Sequence, residues 1–376
     1  MNEIDLVREL LAQPRATEQT TAAALARVQR DIARGGRPRR PRARRLRLGG
    51  LGLAAVGAAA AATVAVPVVM SGAGTPGRHG SSPPPPEART VLLAAAWQAE
   101  RQHDTMGAYW HGTDVSRIYY RLHAPTGDYT VAWERRFEGW TPSSPTGRSC
   151  SRQQDLGTRP AGAADAAAWR RAGSPSELAI PVGHDGPGDF RSMTLKVAAS
   201  PPRTTCQKLP ADGTIFSLGE NVTMKDLRAL PADPDRLKRL LVKRFGKAGR
   251  DTEPLTRVRT GDSWMFSVAR DILLGMPVTP QVRAAAFRMV ADLPSVRTIG
   301  SVRDAEGRRG TAVAIDERTS GGLLEHRLII DQASGRALAY EKLVLKPAGD
   351  NAGRAPGSLI NSVASLTSGW TDTAPR

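Results

Sequence analysis

From Leu48 to Met70 the chain runs 23 residues without a charged side chain, directly after the arginine-dense segment RGGRPRRPRARRLR. No other stretch restricts it as tightly. At about 1.5 Å rise per residue such a helix reaches about 34 Å, enough for a hydrocarbon layer of roughly 30 Å. Excess Arg on its N-terminal side predicts a cytoplasmic N-terminus, with everything after residue 70 outside. Residues 48–70 are therefore expected to form a single transmembrane helix, carried by Leu48, Leu51, Leu53 and the valines from Val56 to Val69. The competing reading is an export signal of the twin-arginine kind, since Arg44 and Arg45 lead into an Ala-rich core. The 47-residue leader speaks against it, because secretory signals begin their apolar region earlier.

The formal charge is +17, and residues 1–47 hold 12 Arg against 5 acidic residues, leaving +10 for the remainder. Basic residues beside a membrane each gain about 1 kcal/mol from anionic lipid. Topology thus accounts for much of the high isoelectric point. Nucleic-acid binding would need a basic face interleaved with aromatic residues or a reading motif. Neither is present, so nucleic acid is not an expected partner. The basic cytoplasmic arm, residues 1–47, carries two short helical patterns separated by Pro14, one with Ile4, Val7 and Leu11 and one with Ala22, Leu25, Val28 and Ile32. Helices this short bury too little to fold firmly alone. Either they dock on a cytoplasmic partner or they lie loosely on the membrane. The arm has no Cys or His, which excludes a zinc-binding or thiol switch there. Residues 71–88, SGAGTPGRHGSSPPPPEA, read as a Gly, Ser and Pro stalk whose polyproline run resists collapse.

An outer domain is expected over residues 89–346, followed by a flexible tail at 347–376 holding a last strand at 358–370. Thr90 is a candidate N-cap for a helix bearing Leu92, Ala95, Ala96 and Ala99. Strands are predicted at 108–112, 117–123 and 129–133, with turns at 112–114 and 125–128. Residues 140–202 look polar and irregular apart from a helix near 163–171. Thr223 with Asp226 resembles a capping box; Asp233-Pro234, Asp262 and Thr279-Pro280 each open a further helix. Strands return at 296–303, 311–316, 324–330 and 337–344, joined by the turns DAEG and DQASG. Strands, helices, then strands argue for an α+β fold with one antiparallel sheet and helices on one side.

The two cysteines, Cys150 and Cys206, both fall in the outer domain, where an oxidising exterior would let them pair as a disulfide. The motifs H-E-x-x-H, G-x-S-x-G and G-x-x-x-x-G-K-[ST] are absent. His103 with Asp104, and His111 with Asp114, come nearest to a polar constellation and read as surface residues. Asp331 and Arg336 bracket a hairpin and are expected to fix its turn. No catalytic, metal or cofactor residues are expected, and the chain is not expected to be an enzyme.

The segments RPAGAADAAAWRRAGSP at 159–175, LRALPADPDRLKRLL at 227–241, PVTPQVRAAAFRMVADLPSVRTIGSVRDAEGRRGTAVAI at 277–315 and LIIDQASGRALAYE at 328–341 resemble a family of uncharacterised actinobacterial single-pass membrane proteins. That family shares the layout of basic N-terminus, single span, Pro-rich stalk and outer domain, and its genes often lie beside extracytoplasmic-function sigma factors. The resemblance implies an envelope signalling component in the cell membrane, with a sigma factor as cytoplasmic partner of residues 1–47. It supplies no functional residues. More weakly, the strand pattern is similar to the half-barrel sheets of periplasmic lipoprotein carriers, and this implies a curved sheet holding a lipid-like ligand. Two expectations follow: an envelope sensing component linked to a sigma factor, and a tethered binder or carrier of a lipid-like molecule.

Overall fold

The structure, a computed structural model, describes residues 87–186, 189–218, 220–251 and 261–375. The arm, the 48–70 span and the stalk as far as residue 86 lie outside the described residues. Among those described, no helix is long and apolar enough to cross a membrane.

The domain opens with α1 (Ala88–Glu100), whose N-cap is Glu87 and not Thr90. The helix starts earlier than expected because Ala88 packs on the core and Arg89 pairs with Asp292. The strands β1 (Tyr109–Leu122), β2 (Tyr129–Pro142) and β3 (Arg148–Pro160) follow. Then come α2 (Ala163–Arg171), the hairpin of β4 (Glu177–Gly186) and β5 (Asp189–Lys196), β6 (Arg203–Lys208), and the small pair β7 (Thr214–Ser217) and β8 (Asn221–Thr223). Four helices occupy the middle: α3 (Met224–Arg228), α4 (Pro234–Asp251), α5 (Gly261–Leu274) and α6 (Pro280–Ala291). The chain closes with β9 (Arg297–Arg303), β10 (Arg309–Thr319), β11 (Gly322–Asp331), β12 (Arg336–Pro347) and β13 (Leu359–Thr371).

Helix starts follow the caps. Thr223 Oγ1 accepts from Asp226 N while the Asp226 carboxylate accepts from Thr223 N, a complete capping box. Asp233 accepts from Arg236 N at 2.8 Å, and Thr279 from Val282 N at 3.2 Å ahead of Pro280.

One antiparallel sheet of nine strands runs in the order β6-β3-β2-β1-β13-β12-β11-β10-β9. It is open, with β6 and β9 at its edges, and does not close into a barrel. The α+β class with one large antiparallel sheet therefore holds, with three corrections. The expected turn at 112–114 does not form: β1 is continuous, and its pairing with β13 shifts between Thr113 and Asp114, passing over Leu366. The section 140–202 is mostly strand. In β3, RSCSRQQDLGTRP, only Cys150, Gly157 and Thr158 are buried, so backbone pairing with β2 and β6 shapes a strand whose composition is polar. Finally, the last strand expected at 358–370 within a flexible tail forms as β13, and it lies at the centre of the sheet between β1 and β12. Small side chains suit this position, because Ser362, Ala364 and Ser365 are all buried there.

Helices α1 and α3 to α6 cover the face of β10 to β12 that presents Val313, Ile315, Leu328 and Ile330. Helix α6 is enclosed, with Ala284, Ala285, Ala286 and Phe287 fully buried. Alanines on α1 and α6 let these two helices pack closely. The β11–β12 turn reaches the same layer at Gly335 (φ +66°), where a Cβ would stand 2.6 Å from Ala99 N and 2.7 Å from the Ala95 carbonyl oxygen. No side chain fits there, and the backbone is left-handed as well. A second apolar layer forms where Ala168 of α2 and Leu178, Ile180 and Leu195 of the β4–β5 hairpin meet Leu122, Tyr129 and Val131. Strand alternation and the β1–β2 register place Leu122 and Val131 on the same face as Gly112 and Gly139.

Candidate functional site

Between the two covered regions that face is open over β13, β1 and β2. There, beside the C-terminal end of α5, lies a cleft of about 510 Å³. Its floor comes from alternate residues of neighbouring strands: Trp110, Gly112 and Asp114 of β1, Phe137 and Gly139 of β2, and Val363 of β13. Gly112 stands directly opposite Gly139 on one side and Ser368 on the other. Because successive residues point to opposite faces, two glycines in register remove two adjacent side chains from one face. A Cβ added at Gly112 would meet only the Thr367 carbonyl oxygen, at 3.8 Å.

Aromatic rings rim the space. Trp110 is fixed by its indole N–H, which donates to the Gly275 carbonyl at 2.8 Å, and by an edge-to-face contact with Trp370 at 5.4 Å. Phe137 is 43% exposed, an unusual position for a large apolar ring on a sheet that has a core to bury it in. Phe216 of β7, Leu274 at the end of α5, and Gly275 and Met276 just after it complete the opposite wall.

Two acceptors face this apolar surface. Burial pushes the Asp114 carboxyl up to about 6, since a charge there loses most of its hydration. The Asn361 side-chain oxygen is buried and has no hydrogen-bond partner among the described residues. Along the wall, Arg270 pairs with Asp271 at 2.6 Å and lies 4.5 Å from the centre of the Tyr340 ring. The Tyr340 hydroxyl is 2.7 Å from His326 Nδ1, His326 Nε2 is 2.9 Å from Glu317 Oε2, and Ser263 donates to Glu317 Oε1 at 3.3 Å. This buried chain runs from the cleft wall across β12, β11 and β10 to Ser263 of α5, along the face that the helices cover. The arrangement suits reversible binding of a mostly apolar molecule carrying a hydrogen-bond donor.

The residues singled out from the sequence are scattered by the fold. Cys150 and Cys206 form the expected disulfide, facing each other across the β3–β6 ladder at the edge of the sheet. The bond therefore joins two adjacent strands. His111 and Asp114 do not form a unit: three residues apart on one strand, they point to opposite faces. His111 reaches Glu138 at 3.0 Å, whereas Asp114, read as a surface residue, is in the cleft. Asp331 fixes its turn as expected, accepting from Ala333 N at 3.0 Å and Ser334 Oγ at 2.6 Å. Asp104 pairs with Arg228. Among the described residues no group of three or more His, Cys, Asp or Glu is placed to hold a metal ion. Sequence reasoning missed the cleft, although a signal existed: W-x-G-x-D at 110–114 and F-x-G-x-T at 137–141 each alternate aromatic, glycine and polar residue on one strand face.

No family model matches the chain, and no curated protein does. Among solved structures it is similar to the complex structure of Pseudomonas aeruginosa MucA/MucB, at 14% identity and a TM-score of 0.25. The match covers 77% of this chain and 58% of that one, so the chain spans well under two thirds of the length of its solved neighbour. A superposition this loose carries no argument about fold or activity.

Proposed function

We propose that the chain is a membrane-anchored, non-enzymatic envelope sensing component whose outer domain takes a lipid-like ligand in the cleft. The observation that carries this reading is the glycine-floored, aromatic-rimmed cleft of about 510 Å³, a size within the range of roughly 300–1,000 Å³ usual for small-molecule sites. Its surface is mostly apolar, with polar groups such as Asp114, Arg270 and Asn361 set among the rings. The layer under α4 to α6 is filled by fully buried side chains such as Phe266, Phe287 and Leu237, so the domain is a solid body with a site at its side. That favours a sensor, which needs one occupied state and one empty state, over a carrier with a through-going tunnel. A curved half-barrel sheet would suit the same site. In this reading the uncharged run at 48–70 anchors the protein, and residues 1–47 contact a cytoplasmic regulator such as a sigma factor.

Native mass spectrometry of the full-length chain in a mild detergent tests the ligand. Wild type should retain an adduct of lipid-like mass, and Gly112→Phe should lose it. A bare wild-type chain that also fails to bind added fatty acid in titration overturns the reading. The cytoplasmic half is tested separately by retention of the neighbouring sigma factor on immobilised full-length protein, with failure at low salt counting against the link.

A further inference from the structure

Beside the cleft lies a second, more polar recess of about 250 Å³, and the two share Trp110 and Ser368 in their linings. Two guanidinium groups line it, Arg283 from the first turns of α6 and Arg336 from the start of β12. A third, Arg228, stands close enough to act on Arg283 electrostatically. Among the described residues one carboxylate in the lining, Asp104, answers them. Asp104 takes two hydrogen bonds from Arg228, at 2.7 and 2.6 Å, and is thereby engaged. Arg283 donates to a neutral acceptor, Gln102 Oε1, at 2.8 Å. Among the described residues Arg336 makes no ion pair, and one terminal nitrogen of Arg228 is buried without a hydrogen-bond partner.

Guanidinium groups gathered this closely repel one another. Burial holds the Arg283 guanidinium below its usual range, and the neighbouring charges of Arg336 and Arg228 push it further down while Asp104 pulls it up. Arg283 and Arg336 in the lining, with Arg228 near by, outnumber the carboxylate of Asp104 and leave an excess positive charge at the recess. Planar guanidinium forks match the oxygen geometry of phosphate and carboxylate, and they bind phosphate in two-point contacts.

We propose that the recess lined by Arg283 and Arg336 binds a phosphate-type oxyanion. The proposal rests on the ligand-binding reading of the cleft in one respect: through the shared Trp110 boundary the oxyanion becomes the head of an amphiphile whose apolar part fills the cleft. A free phosphate and a lipid phosphate present the same oxygens to the two arginines, and the apolar wall next door separates the two sources.

Calorimetric titration of the full-length chain in neutral detergent tests this with three probes: inorganic phosphate, dioctanoyl phosphatidic acid and dioctanoylglycerol. Wild type should bind phosphatidic acid at least tenfold more tightly than either other probe, and each of Arg336→Gln and Arg283→Gln should weaken phosphate and phosphatidic acid about tenfold while leaving dioctanoylglycerol unchanged. Arg336 is exposed at the head of its strand, so its variant keeps the fold. Phosphatidic acid bound no better than dioctanoylglycerol, or bound equally by both Arg variants, overturns the oxyanion site and leaves the cleft reading intact. Phosphate bound in an arginine-dependent way with neither lipid bound supports the oxyanion site and defeats the cleft reading. Absence of binding by both phosphate and phosphatidic acid overturns the proposal.

Discussion

Gly112 of β1 and Gly139 of β2 face each other across the strand ladder, and the cleft exists because neither has a side chain. Gly112→Phe should fill that space at little cost to the fold, since the new Cβ meets a single atom at 3.8 Å and an aromatic residue suits a strand. The melting midpoint should stay within about 3 °C of wild type, with binding of lipid-like probes lost. Differential scanning calorimetry and probe titration on one preparation check both halves.

Asp114 makes the domain's stability depend on pH in a stated direction. Its folded-state value of about 6 lies above the ordinary value of 3.8, so between these limits the folded chain holds a proton that the unfolded chain has released. Stability therefore falls as pH rises from about 4 to about 6, by up to about 3 kcal/mol. Asp114→Asn should abolish that fall and leave the variant more stable than wild type at pH 7. Guanidinium chloride unfolding at pH 4.5 and pH 7 measures the difference.

Asp304 should prove the most costly single polar residue to remove. Its side chain is fully buried, accepts from Glu306 N at 3.0 Å and Arg308 N at 2.9 Å, and pairs with the Arg308 guanidinium. Arg308 in turn donates to the Ser365 and Leu338 carbonyls, at 2.7 and 2.9 Å, and so ties the β9–β10 turn to β13 and β12. Asp304→Ala leaves that cation without its counter-charge and should cost about 3–5 kcal/mol. A lower unfolding midpoint with an unchanged denaturant slope is the expected signature.

The Cys150–Cys206 bond, with its sequence separation of 56, should stabilise by about 4 kcal/mol on the chain-entropy model. It anchors β6, an edge strand whose side chains are almost all exposed. Replacing both cysteines by Ser should lower stability by about 2–4 kcal/mol. It should also raise amide exchange in β6 well before it does so in β13, as hydrogen-exchange mass spectrometry can resolve.

Local signals in the chain located most elements. Caps at Thr223, Asp233 and Thr279 marked helix starts, and the turns DAEG and DQASG marked hairpins, because each rests on contacts between residues three or four apart. The two cysteines were readable as a pair from their number alone. Strand β3 and the central place of β13 were hard to read, because a strand stabilised by backbone bonds on both sides needs few apolar side chains and its position in a sheet leaves no local mark. Their partners lie far away in sequence, β13 pairing with β1 across some 250 residues.

By itself the amino-acid sequence determined the α+β order of strands, helices and strands and a large antiparallel sheet, through periodicity and capping that act within a few residues. Tertiary structure alone decided that the last strand joins the two halves of that sheet, and that Gly112 meets Gly139 to open a cleft beside Asp114. It also brought Arg283 and Arg336 from two separate elements to one recess, with Arg228 near enough to act on Arg283. These are products of long-range register and packing, where residues with no local pattern acquire meaning only from the neighbours the fold gives them.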